Sequence, residues 1–125
     1  MKSTIITLAA TAFGLLASVP AQAAPDAAKG KQVFGQCAAC HKADATGKST
    51  IGPNLYKVVG RTSGTLPGFN YSPAMKGSKK VWSDATLDAY LAAPMTNIPG
   101  NKMPFAGVKA PADRANLIAY LKTLK

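Results

Sequence analysis

Apolar positions recur at helical spacing in three stretches of the chain, and no stretch shows the alternation of a half-buried strand. The first runs from Asp26 to Gln36, with Val33 and Phe34 as its main apolar residues and Gly30 free to admit a second helix closely. Pro25 suits its first turn and Asp26 its positive end. The second runs from Ser83 to Ala93, where Leu87, Tyr90 and Leu91 share a face. Ser83 or Asp84 caps it and Pro94 stops it. The third runs from Pro111 to Leu124, with Ala115, Leu117, Ile118, Leu121 and Leu124 apolar. Lys122 and Lys125 suit its negative end. Ser72 to Lys76 reads as a short additional helix capped by Ser72. Residues 42–71 carry five glycines with Pro53 and Pro67, and residues 94–109 carry Pro99-Gly100, Met103-Pro104 and Gly107. Both read as loops, so the fold class is all-α with long loops. So much loop in so small a domain calls for something to fill its interior.

The N-terminus has a different pattern. Lys2 precedes an apolar run from Ile5 to Leu16, and Ala21-Gln22-Ala23 fits small-x-small cleavage. Residues 1–23 therefore read as a signal peptide and residues 24–125 as one exported domain, located in the periplasm. A single membrane anchor is the competing reading, but the run falls short of the roughly 20 residues a span needs. No other stretch is apolar enough to span. The chain has 15 Lys+Arg against 5 acidic residues, formal charge +10. Loss of Lys2 with the leader would lower it by one. Such a surface points to acidic partners or a negatively charged membrane surface, and no nucleic-acid motif accompanies it.

The only two cysteines and the only histidine lie together in Cys37-Ala38-Ala39-Cys40-His41. C-x-x-C-H is the pattern that attaches a c-type haem. Two thiols add to the haem vinyl groups and the adjacent imidazole can bind the iron. A disulfide is the plainer reading of an exported cysteine pair, but it leaves His41 unexplained. The other face of the iron then needs a ligand, and no second histidine exists. Met75, Met95 and Met103 are the thioethers of the expected mature chain. Met103 is the best candidate because prolines and a glycine restrict its loop, but spacing alone does not exclude Met95. A thioether favours ferrous iron and raises the reduction potential.

From residue 24 onward the chain resembles the class I cytochromes c, especially the mitochondrial type and the bacterial cytochromes c2. Gly30, Phe34 and the Cys37–His41 motif carry the resemblance first. Gly52-Pro53-Asn54-Leu55, Val59-Gly60-Arg61, Gly68-Phe69-Asn70-Tyr71-Ser72 and Trp82 follow in order. Leu87–Leu91, Pro99–Gly107 and Leu117–Leu121 complete it. The resemblance implies a class I fold wrapped around one covalent haem, with Met103 as distal ligand and the Pro53 carbonyl receiving the His41 N–H. It implies that Tyr90 lies beside the Met103 sulfur and that Tyr71 and Trp82 approach one propionate. Arg61 would offset propionate charge, and Asn101 would hold the distal loop and an internal water. Gly30 and Phe34 would meet Leu117 and Tyr120 where the terminal helices cross. Two positions depart from the family pattern. Met75 replaces a common asparagine, and Asn97 replaces a common aromatic, which would ease opening of that loop.

The function implied is that of a monomeric electron carrier cycling Fe(III)/Fe(II), not an enzyme. Its transient partners would be acidic redox proteins, with cytochrome bc1 as donor and a photosynthetic reaction centre or respiratory oxidase as acceptor. Lys31, Lys42, Lys48, Lys102 and Lys109 flank the segments expected around the exposed haem edge and would form the encounter surface. A five-coordinate haem enzyme or gas sensor is the alternative, and the Met103 segment argues against it.

Overall fold

The computed structural model describes residues 9–10, 12–19 and 23–125. The leader therefore lies partly outside the described residues, as do Ala21 and Gln22 of its cleavage site. Phe13, Leu15, Leu16 and Val19 are almost fully exposed and add nothing to the core. Among the described residues no helix is long and apolar enough to cross a membrane.

Asp26 opens the first helix, α1 (Ala27–Phe34), by accepting the Ala28 and Lys29 N–H groups in its carboxylate. Asp26 is thus the cap itself, with extended backbone, and Pro25 stands before it rather than in the first turn. The helix ends at Phe34, and tight turns rather than a further helical segment carry residues 35–40. Cys37 N–H bonds Phe34 O, and His41 N–H bonds Cys37 O. α2 (Pro73–Ser78) is capped by Ser72, whose hydroxyl receives Met75 N–H. α3 (Asp84–Ala92) starts with a reciprocal capping box between Ser83 and Thr86.

Pro94 ends α3 and at once begins a one-turn helix, α4 (Pro94–Asn97), within what the sequence suggests is loop. The proline ring presets the first helical φ, and Ile98 N–H closes the turn on Pro94 O. α5 (Pro111–Lys122) stops two residues early because Thr123 and Leu124 tighten onto the Tyr120 and Leu121 carbonyls. Among the described residues the only extended pairing is a single antiparallel bridge, Thr62 to Val81. The fold is all-α.

α1 crosses α5 and α3 packs on α5. At the first crossing, a Cβ on Gly30 would stand 1.9 Å from Asn116 O. The two backbones approach so closely only because no side chain is there. Phe34 and Tyr120 meet beside it with ring centroids 5.2 Å apart. Leu117, 1% exposed, seals the contact. Leu87, Leu91, Ile118 and Leu121 extend this core, and Trp82 joins it with its ring 5.0 Å from that of Tyr90.

The long loop of residues 42–71 is organised around buried Asn54. Its amide donates to the carbonyls of Asp44 and Lys48, and its carbonyl oxygen accepts Tyr56 N–H. One side chain thereby gives three loop backbone groups the partners that a strand or helix would otherwise supply.

Candidate functional site

The turns after α1 place Cys37, Cys40 and His41 side by side, all half-buried, and both thiols are free. Burial, with Cys40 adjacent, pushes the Cys37 thiol above its ordinary range. The loop returns to meet His41. Its Nδ1 lies 2.7 Å from Pro53 O, and a carbonyl can only accept, so Nδ1 carries the proton. Nε2 then keeps its lone pair. Burial lowers the His41 pKa, with the Pro53 bond opposing in part, so the neutral ligand form prevails at neutral pH. Gly52 forms a wall beside the ring: a Cβ there would lie 2.5 Å from His41 Cε1. Any larger residue would turn the imidazole.

The candidate for the second donor, Met103, lies in the loop after α4. Asn101 is buried, and its amide donates to Pro94 O and Ile98 O at 2.9 and 2.8 Å. Its own oxygen accepts Met103 N–H at 2.8 Å. Asn101 thus ties Met103 to α4. Across from it, Tyr90 Oη stands 4.0 Å from Met103 Sδ, the outer limit of a hydrogen bond to sulfur. Burial raises the Tyr90 pKa to about 12, so the hydroxyl keeps its proton across the physiological range. Met95 is about half exposed. Asn97 Oδ1 is the one buried side-chain oxygen without a partner among the described residues.

The remaining site residues spread over the loops. Arg61 donates to Tyr56 O and Asn54 O, and burial holds its pKa below the ordinary value. Tyr71 Oη accepts Leu66 N–H, and its ring meets Phe69 edge-on. Trp82 N–H bonds Arg61 O, so these two residues share one backbone link. Lys31, Lys42 and Lys48 are exposed. Lys102 and Lys109 are not free in the same way. Lys102 Nζ donates to Asn70 O at 2.9 Å, and Lys109 Nζ donates to Ala92 O and Ala106 O. Gly52, Asn54 and Arg114 are structural residues that the sequence does not single out, although the first two stand in the motif Gly52-Pro53-Asn54-Leu55.

The donor set is one imidazole, one thioether and two thiols. No group of three or more His, Cys, Asp or Glu side chains converges among the described residues. These donors do not make a cage for a bare ion. Their chemistry fits a c-type haem, which the two thiols would hold covalently and for which His41 Nε2 and Met103 Sδ would be the candidate iron donors.

The cytochrome c family model matches residues 27–125. The chain is 49% identical to a cytochrome c2 of Rhodomicrobium vannielii over 118 residues, covering 94% of each protein. It is 47% identical to a cytochrome c2 of Blastochloris viridis, covering 88% of this chain and 87% of that one. Among solved structures, cytochrome cH from Methylobacterium extorquens superposes with a TM-score of 0.74 at 41% identity. That match covers 78% of this chain and 98% of the other. Membership of this family implies a covalent haem c and electron transfer with membrane complexes. The chain belongs to the cytochrome c family, in its class I branch close to cytochromes c2, and is an electron carrier rather than an enzyme.

Proposed function

We propose that the chain carries single electrons in the periplasm on one haem c, attached through Cys37 and Cys40 and ligated by His41 and Met103. The observation that carries this reading is the 2.7 Å contact between His41 Nδ1 and Pro53 O, which leaves Nε2 as the free donor. When bound, the haem supplies the Fe(III)/Fe(II) couple. The protein keeps both ligands in place during exchange: Pro53 and Gly52 hold His41, and Asn101 and Tyr90 hold Met103. With both positions filled, no substrate can reach the iron. Tyr71 and Trp82 approach one propionate, Arg61 offsets propionate charge, and Asn101 also holds the internal water of the distal loop.

Residues 1–23 act as a cleaved leader. Support comes from the likeness to the Rhodomicrobium cytochrome c2, whose 118 aligned residues exceed the 102 that follow Ala23 and so reach into this segment. The donor is a cytochrome bc1 complex and the acceptor a reaction centre or terminal oxidase. The chain works as a monomer. Lys31, Lys42 and Lys48 lead the encounter, with Lys102 and Lys109 at its edge. Among the described residues only two ion pairs form, Arg114–Asp88 and Lys122–Asp84, so most of the basic surface is left to steer partners.

Two measurements test this. Stopped-flow oxidation of the ferrous protein by isolated oxidase or reaction-centre membranes should slow at least about tenfold between low and physiological ionic strength, as steering over a Debye length of ~8 Å is screened. A rate indifferent to salt would remove the lysine surface from the encounter. For the haem pocket, Tyr90→Phe deletes a donor that drains electron density from the Met103 sulfur. A stronger sulfur donor favours Fe(III), so the potential should fall. A bond of about 0.5–1 kcal/mol corresponds to roughly 20–40 mV. A potential unchanged or raised in redox titration would place Tyr90 outside the ligand's environment.

A further inference from the structure

Arg114, on α5, reaches two other parts of the chain. Its Nε donates to Asp88 Oδ1 on α3 at 2.7 Å. One terminal nitrogen donates to Val108 O at 2.9 Å and Lys109 O at 3.0 Å. The guanidinium side chain is 13% exposed, while its carboxylate partner is 49% exposed.

The carbonyls it grips end the strap that begins at Met103. Residues 103–110 carry no helix and run directly from the thioether to Arg114. The same strap caps the end of α3. The last carbonyls of a helix have no partner inside it. Here Leu91 O accepts Val108 N–H at 2.8 Å, and Ala92 O accepts the Lys109 ammonium at 3.2 Å. Gly107 lies flush against this turn, where a Cβ would come within 2.4 Å of Ala92 O. Tyr90, which faces the Met103 sulfur, belongs to this last turn of α3. One turn of α3 therefore holds both the thioether and the strap behind it, and Arg114 fastens both to α5.

We infer that Arg114 is a positioning residue for the distal ligand: its clamp on Asp88 and the strap sets how often Met103 leaves the iron. This rests on Met103 being that ligand. An external ligand binds only the fraction of molecules whose strap is open, so its apparent affinity reports the opening equilibrium. The two carbonyl bonds dominate the clamp, because half-exposed Asp88 is well screened.

The test is imidazole titration of the ferric holoprotein, followed by the far-red charge-transfer band, with urea unfolding in parallel. Arg114→Met should tighten apparent imidazole binding about tenfold, the scale of losing charge-assisted hydrogen bonds. Arg114→Lys, which can keep one bond but not the fork, should fall between wild type and Arg114→Met. Asp88→Asn should change it only about two- to threefold. Ile118→Val, a core trim on the same helix, should lower global stability and leave imidazole binding alone. Equal tightening in Arg114→Met and Ile118→Val would reduce the effect to global stability and overturn the clamp. Unchanged binding in the Arg114 variants would also overturn it. Should Arg114→Met fail to mature, wild-type affinity in both Arg114→Lys and Asp88→Asn would do the same. A wild-type protein without the far-red band would instead overturn Met103 ligation, and the clamp with it. A normal wild-type band with unresponsive Arg114 variants overturns the clamp alone.

Discussion

Replacing Met103 with alanine should abolish the far-red charge-transfer band of the oxidised protein and lower its reduction potential on the order of 0.1–0.3 V, a fraction of the ~0.8 V that axial ligation spans. The thioether stabilises ferrous iron because it is a soft, weakly basic donor, and water or hydroxide in its place favours the ferric state. Alanine also leaves a coordination position open, so the reduced variant should bind carbon monoxide readily. Two controls locate the effect. Met95 is about half exposed, and Met95→Ala should keep both band and potential. Met75 packs against the core from α2, and Met75→Ala should keep the band with at most a modest change in potential. Should Met103→Ala keep the band while one of the other two loses it, the ligand would be reassigned and the enzyme or sensor reading would stay excluded. A wild-type protein that is high-spin and takes up carbon monoxide would revive that reading.

Replacing Gly30 with alanine should cost roughly 3 kcal/mol or more of stability, at the upper end of what overpacking does. Elsewhere in a helix, glycine to alanine gains about 1 kcal/mol from propensity. At this crossing the gain is overwhelmed. The new Cβ would lie 1.9 Å from Asn116 O, 2.5 Å from Asn116 C and 2.8 Å from Tyr120 Cβ. Two of those atoms are backbone and cannot rotate aside. α1 and α5 must separate, and this loosens the Phe34–Tyr120 pair and the bond from Asp26 N–H to Asn116 Oδ1. For a domain of about 100 residues, each kcal/mol moves the melting temperature by about 4–8 °C, so a fall of roughly 12–24 °C is expected. Thermal unfolding of the holoprotein checks it. A melting temperature equal to or above wild type would mean that the helices do not cross at Gly30.

Much of this protein is local in origin and was open to reading residue by residue. Ser72 and Ser83 cap their helices because a hydroxyl next to a free N–H needs no distant partner. Two thiols and an imidazole within five residues stay close together whatever surrounds them, because the chain itself sets their spacing. The all-α class follows from apolar spacing. Local pattern erred where competition decides: α1 ends two residues before its pattern because Gly35 begins the turns that aim the cysteines, and α4 forms because Pro94 both ends one helix and starts another.

What only the tertiary structure decided depends on residues far apart in the chain. Spacing could not separate Met103 from Met95, since both lie in the same Pro- and Gly-rich region. The fold gives them different surroundings: Tyr90 Oη stands 4.0 Å from the Met103 sulfur, while Met95 is about half exposed. His41 has its ring orientation fixed by Gly52 and Pro53, which a loop returns to it. Lys109 and Arg114 look like two more surface cations in a basic sequence, yet each is bound to backbone carbonyls of the Met103 strap. A carbonyl carries no signature in the sequence, so a cation's choice between solvent and strap is made only when packing brings the two within hydrogen-bond reach.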